Sequence, residues 1–129
     1  MTTSRTFAAA RIHHKGGRLL EAEKLYRQLL ETEPQNVAAL HGLGVVMAQS
    51  GRSAEAEEFL QKAIAINPDE AEYHDSLGIV LAGGNRTDEA IEQFEIALQL
   101  RPNYARAAYN LGVALKLQSK WPRIARVWN

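Results

Sequence analysis

The side chains best equipped to ligate a metal or relay a proton are the four histidines, His13, His14, His41 and His74. His13 and His14 are neighbours, and successive residues on a helix point about 100° apart, so the two cannot converge on one ion. His41 and His74 can approach each other across a groove. Two imidazoles without a supporting set of carboxylates nevertheless make a poor zinc site. No cysteine is present, which removes disulfides and thiolate ligands and fits a reducing, cytoplasmic setting. No glycine-rich loop is built to cradle a phosphate, and no serine sits in a nucleophile elbow. Gly83-Gly84 reads as a helix end. The expectation is a protein with no catalytic centre, no metal and no cofactor, whose chemistry is binding.

The charges limit what is bound. Fifteen basic and fifteen acidic residues cancel, so no net field draws the chain to nucleic acid or a membrane surface. Their placement is uneven. Residues 1–18 carry four bases and no acid, residues 101–129 carry six bases and no acid, and the stretch between is net −10. RNA or DNA binding through the basic ends would have to fall steeply with salt, and the acidic middle opposes it. No apolar run approaches the roughly 20 residues that span a bilayer, and Met1 to Ala10 lacks the apolar core of a secretory signal.

The elements that carry these residues recur. Pro34, Pro68 and Pro102 are spaced by 34 residues. Leu43-Gly44, Leu77-Gly78 and Leu111-Gly112 keep the same interval, as do Ala22, Ala56 and Ala90, each followed four places later by Tyr26, Leu60 or Phe94. Each period reads as two helices. Leu40, Leu43, Val46 and Met47 follow helical spacing in the first, and Ala56, Phe59, Leu60, Ala63 and Ile64 in the second. Gly51 and Asn85 stand between them and tolerate the left-handed backbone of a tight turn. Ser53 and Thr87 are placed to cap the second helices. Pro68 closes a unit because proline cannot continue a helix. The glycine after each leucine and the alanine of the second helix let paired helices approach closely. Leu43, Gly44, Ala56, Leu60, Leu77, Gly78, Ala90 and Phe94 are therefore core.

This pattern resembles the tetratricopeptide repeat, Trp-x2-Leu-Gly-x2-Tyr, then Ala-x3-Phe, then Pro. The second unit reads Leu40-x2-Leu43-Gly44-x2-Met47, Ala56-x3-Leu60, Pro68, and the third His74-x2-Leu77-Gly78-x2-Leu81, Ala90-x3-Phe94, Pro102. The fourth begins Ala108-x2-Leu111-Gly112-x2-Leu115. The first matches in its second helix, Ala22-x3-Tyr26 and Pro34, better than in its opening one. The resemblance implies an all-α fold, a right-handed superhelical solenoid of antiparallel helix pairs with about 3.5 repeats. It implies one domain over residues 1–129, with units near 3–36, 37–70, 71–104 and an incomplete 105–129. The ends depart from the pattern. Met1 to Ser4 is expected to be mobile. Pro122 suits the first turn of a helix, so Trp121 to Trp128 is expected as a separate short helix. Repeat arrays need polar caps, whereas this end carries Trp121 and Trp128. These tryptophans fold back as a makeshift cap, pair with a second copy to give a homodimer, or simply replace the usual aromatics of the repeat.

Members of this family usually hold a peptide or helix of a partner in a groove lined by the first helix of each unit. Carried over residue by residue, the groove comprises Phe7, Arg11, His14 and Lys15; Ala38, His41, Val45 and Gln49; Glu72, Asp75, Ile79 and Ala82; and Arg106, Tyr109, Val113 and Lys116. Phe7, Val45, Ile79, Val113 and Tyr109 would form an apolar track, Glu72 and Asp75 an acidic patch, and Arg106 and Lys116 a basic wall. A carboxylate-gripping clamp of the chaperone-adaptor kind is excluded, because its positions hold Phe7, Arg11, Gly42, Glu72 and Ser76. An asparagine ladder is absent, since the series reads Ala8, Gly42, Ser76 and Asn110. The repeats still look like the bacterial arrays that precede a glycosyltransferase domain, although no part of that catalytic domain is present. The expected role is a scaffold or adaptor for another protein. The alternatives are a self-associating module or a segment of a longer array attached to a catalytic domain.

Overall fold

The computed structural model describes the backbone of residues 2–128 and the side chains of residues 2–119. Among them are seven α-helices and no strand: α1 (Thr3–Lys15), α2 (Leu19–Thr32), α3 (Val37–Gln49), α4 (Ser53–Ile66), α5 (Ala71–Gly83), α6 (Thr87–Leu100) and α7 (Ala105–Trp128). None of the described helices is long and apolar enough to cross a membrane. The fold is an all-α helical repeat. It divides into two compact units between Pro68 and Asp69, a repeat boundary.

The first unit holds α1 to α4, with each helix packed on the next. Its turns depend on one backbone feature: Gly17 and Gly51 have φ of +77° and +79°, which costs glycine nothing for want of a Cβ. Tyr26, Leu29, Leu43, Val46, Met47 and Leu60 fill the core. Gly44 admits Leu60 so closely that an added Cβ would lie 2.8 Å from it. The second unit holds α5 to α7, with Leu77, Leu81, Phe94 and Ala97 buried. Asn85 makes the α5–α6 turn at φ +63°, and the Phe94 ring occupies the room that Gly78 leaves.

Two expectations change. Ser53 and Thr87 do not cap α4 and α6. They are already the first helical residues, and the capping positions are Arg52 and Arg86, which form no side-chain cap. Each connection is three residues long, Ser50, Gly51 and Arg52 or Gly84, Asn85 and Arg86, and its last residue is the arginine. Side-chain caps do occur at Asn36, which accepts from the Ala39 N–H at 3.0 Å, and at Thr2, which accepts from Arg5 at 3.2 Å. That second cap places Thr2 to Ser4 at the start of α1. The second change concerns α7, which continues through Pro122 to Trp128 without a separate short helix. In register with Gly51 and Asn85 stands Ser119, and serine resists the left-handed backbone on which the other turns rely.

Candidate partner-binding surface

In the first unit, α1 and α3 lie side by side. Residues three and four apart share a helix face, which sets Phe7, Arg11 and His14 along α1 and His41, Val45 and Gln49 along α3. The His14 Nε2–H donates to Gln49 Oε1 at 2.8 Å and ties the two rows together. The Phe7 ring is half-buried, 6.2 Å from the ring of Tyr26, and the Arg11 guanidinium lies 5.9 Å over it. Burial pushes the Tyr26 hydroxyl above its ordinary pKa, partly opposed by the charge of Arg11. Val45 and His41 are half-buried, while Arg11 and Gln49 are exposed.

In the second unit the corresponding helices are α5 and α7. Ile79 is 45% exposed and Tyr109 73% exposed, and Val113, Glu72 and Lys116 are also open to solvent. Asp75 differs. It is fully buried, with Arg106 Nε donating to Oδ2 at 2.6 Å and Asn110 Nδ2 donating to Oδ1 at 3.0 Å. The acidic patch expected from Glu72 and Asp75 therefore has only Glu72 at the surface, and Arg106 spends its charge inside the unit. Burial alone would lower the pKa of Arg106; the Asp75 charge and hydrogen bond outweigh it and raise it. Tyr104 packs under this pair, with Arg101 and Arg106 at 4.4 and 5.6 Å from its ring centre. Asn110 was legible only as a lone asparagine before Leu-Gly. Its sequence separation from Asp75, one repeat plus one residue, is the signal that would have paired them.

Several of the charges near α2 and α4 are also engaged. Arg52 grips both oxygens of Glu23 at 2.9 Å, and Arg27 reaches the same carboxylate at 2.9 Å. The Arg52 hydrogen bonds hold Glu23 below the usual glutamate range against the opposing effect of burial, with Arg27 adding to the shift. His74, buried, donates from Nδ1 to Gln93 Oε1 at 2.8 Å. Among the described residues, no group of three or more His, Cys, Asp or Glu side chains could hold a metal ion. Trp121 and Trp128, the residues expected to self-associate, lie outside the described side chains.

Comparison with known proteins agrees with the repeat pattern. The sequence matches the family described as "Tetratricopeptide repeat" over residues 14–78 and that described as "TPR repeat" over residues 84–119. Among solved structures, it resembles the O-GlcNAc transferase of Thermobaculum terrenum at 34% identity and a TM-score of 0.86, over 88% of this chain and 22% of the transferase. It therefore spans about a fifth of that relative's length. MamA is similar at 26% identity and a TM-score of 0.80, over 90% of this chain and 63% of MamA. The first repeat domain of Spaghetti (RPAP3), bound to the HSP90 peptide SRMEEVD, shares the fold at 20% identity and a TM-score of 0.87, over 91% of this chain and 93% of that one. None of the curated proteins compared matches the sequence. With its 34-residue period, its paired helices and a family match across half its length, this chain belongs to the tetratricopeptide repeat family.

Proposed function

We propose that the chain is a scaffold or adaptor that holds a peptide or helix of another protein against the first helices of its units. The observation that carries this reading is the strip on α5 and α7. Ile79, Tyr109 and Val113 stand out in solvent, and on either side of Ile79 the chain is buried at Gly78 and Val80. Exposed apolar side chains grouped on one face mark interaction surfaces. On α1 and α3, Phe7, Arg11, Val45 and Gln49 offer a second, more polar strip. Family membership supports the reading, and a peptide is bound by one structural relative. Glu72 and Lys116 rim the apolar strip and would select for a partner with charges of both signs.

The test is a pull-down from lysate of the encoding organism, wild type beside the Val45→Glu, Ile79→Glu double variant, read by mass spectrometry. The same partner should then bind in purified form, with affinity reduced roughly tenfold or more by the double change and helicity retained. Unchanged affinity in a helical double variant would remove the strips from consideration.

A second reading rests on the 34% identity to the Thermobaculum terrenum transferase. On that reading, the repeats serve as the partner-handling segment of a larger glycosyltransferase-like protein. Finding the open reading frame continuous with a catalytic domain would establish it, and a separate stop codon directly after Asn129 would end it.

A further inference from the structure

In the first unit the charges are sorted by helix. Every side-chain carboxylate of residues 1–68 stands on α2, on α4 or at Glu33 directly after α2, and α1 and α3 hold none. On the acidic side, Arg27 and Arg52 both reach Glu23 and Glu55, and Lys62 reaches Glu58. Arg11 and Lys15 on α1 differ. Both are exposed, and among the described residues neither meets a carboxylate. They stand one turn apart on the row that begins at Phe7. The Arg11 guanidinium lies 5.9 Å over the half-buried Phe7 ring. That contact stacks one face of the planar cation and leaves its N–H edge for a carboxylate. Across the face, on α3, Val45 is half-buried. Gln49 accepts from His14 through Oε1, so its amide N–H groups remain to donate to a peptide carbonyl.

We propose that this face of the first unit binds an extended, acidic segment of a partner protein, with the pattern apolar-x-acid-x-acid in either direction. The charge complementarity sets the sign, since a face with bases and no acid repels a basic chain. The spacing sets the pattern. Residues four apart on a helix are about 6 Å apart along its axis, and alternate residues of an extended chain project to one side about 6.6 Å apart. Two carboxylates so placed meet Arg11 and Lys15, and the apolar side chain packs on Phe7 and Val45. The proposal rests on the reading that the first helices of the units form the binding surface, and adds the chemistry of the partner. Nucleic acid fits less well. Residues 1–68 carry eight bases against seven acids, a net charge of only +1. The Phe7 ring, with Arg11 over it and Tyr26 beside it, is not free to stack a base.

The probe is a library of random peptides fused to a phage coat protein by their C-termini, so that no terminal carboxylate is free, and selected on the full chain. Enriched sequences are resynthesised as labelled C-terminal amides and titrated by fluorescence anisotropy. Enrichment of acid-x-acid beside an apolar residue is expected, with binding that weakens as salt rises. The double change Arg11→Glu, Lys15→Glu should weaken that binding at least roughly tenfold with helicity retained. Arg11→Gln, Lys15→Gln should give an intermediate loss, and Ile79→Glu should leave binding unchanged. Enriched peptides without net negative charge overturn the proposal, as do acidic peptides indifferent to the charge reversal. Loss on Ile79→Glu alone overturns it too and leaves the wider reading of the first helices standing. If nothing is enriched the proposal falls, while the pull-down decides the wider reading independently. A single-stranded oligonucleotide that binds more tightly than any selected peptide also overturns it and assigns the face to nucleic acid.

Discussion

Gly44, Gly78 and Gly112 occupy the same place in successive repeats but meet different surroundings, and their substitutions should diverge in sign. Gly44→Ala and Gly78→Ala force a methyl group onto Leu60 and Phe94 and should each cost about 1–3 kcal/mol by overpacking. Gly112→Ala meets open space within a helix and should stabilise by about 1 kcal/mol through helix propensity alone. Thermal or urea unfolding of the three variants checks this, and a destabilising Gly112→Ala would mean that its face is covered. The Asp75–Arg106 pair predicts a second asymmetry. Arg106→Ala strands a carboxylate that is fully buried, and removing one member of a buried pair costs about 3–5 kcal/mol. Asp75→Ala leaves a half-exposed guanidinium that water can solvate, so its cost should be smaller, about 1–2 kcal/mol. Equal losses in urea titrations would contradict the burial argument.

At the scale of the element, the starts of α4 and α6 are set by their connections and not by their first hydroxyls. The Arg52 and Arg86 carbonyls accept from Ala56 and Ala90 at 3.0 Å, leaving Ser53 and Thr87 inside the first turn. Ser53→Ala and Thr87→Ala should therefore shift stability by less than about 0.5 kcal/mol. Asn36→Ala, which removes a true cap of α3, should cost about 1 kcal/mol. Unfolding midpoints of the three variants compared side by side decide the point. The arginines at 18, 52 and 86 recur at the 34-residue period, a signal the sequence reading passed over. Arg52 uses this position to clasp Glu23 and Glu55, and Arg86 to clasp Glu89. A charge beside a turn thus works as a strap between or along helices, and fewer charges remain for a ligand than the sequence suggests.

At the scale of the whole molecule, a repeat array holds each unit by contacts with its immediate neighbours, so local stability follows local coverage. Residues 112–119 of α7 have Leu115 and Leu117 exposed, and their amides should exchange faster than those in the middle of α3 and α5. Hydrogen–deuterium exchange read by mass spectrometry tests this, and equal protection would show that α7 is covered in solution. The sequence by itself determined the repeat, the helix pairs, the turns at Gly51 and Asn85 and the core from Leu43 to Phe94. Those features follow from local chemistry repeated every 34 residues: helical apolar spacing, a left-handed turn residue, and a small residue opposite a large one. Tertiary structure decided which charges are free. Glu72 and Asp75 look alike in sequence, yet only Asp75 is buried, because its fate depends on Arg106 and Asn110 on a neighbouring helix. It also decided that α7 would run on past Ser119, where the repeat pattern suggested a break. That continuation depends on the want of a left-handed turn residue at 119, which local apolar spacing in the sequence does not register.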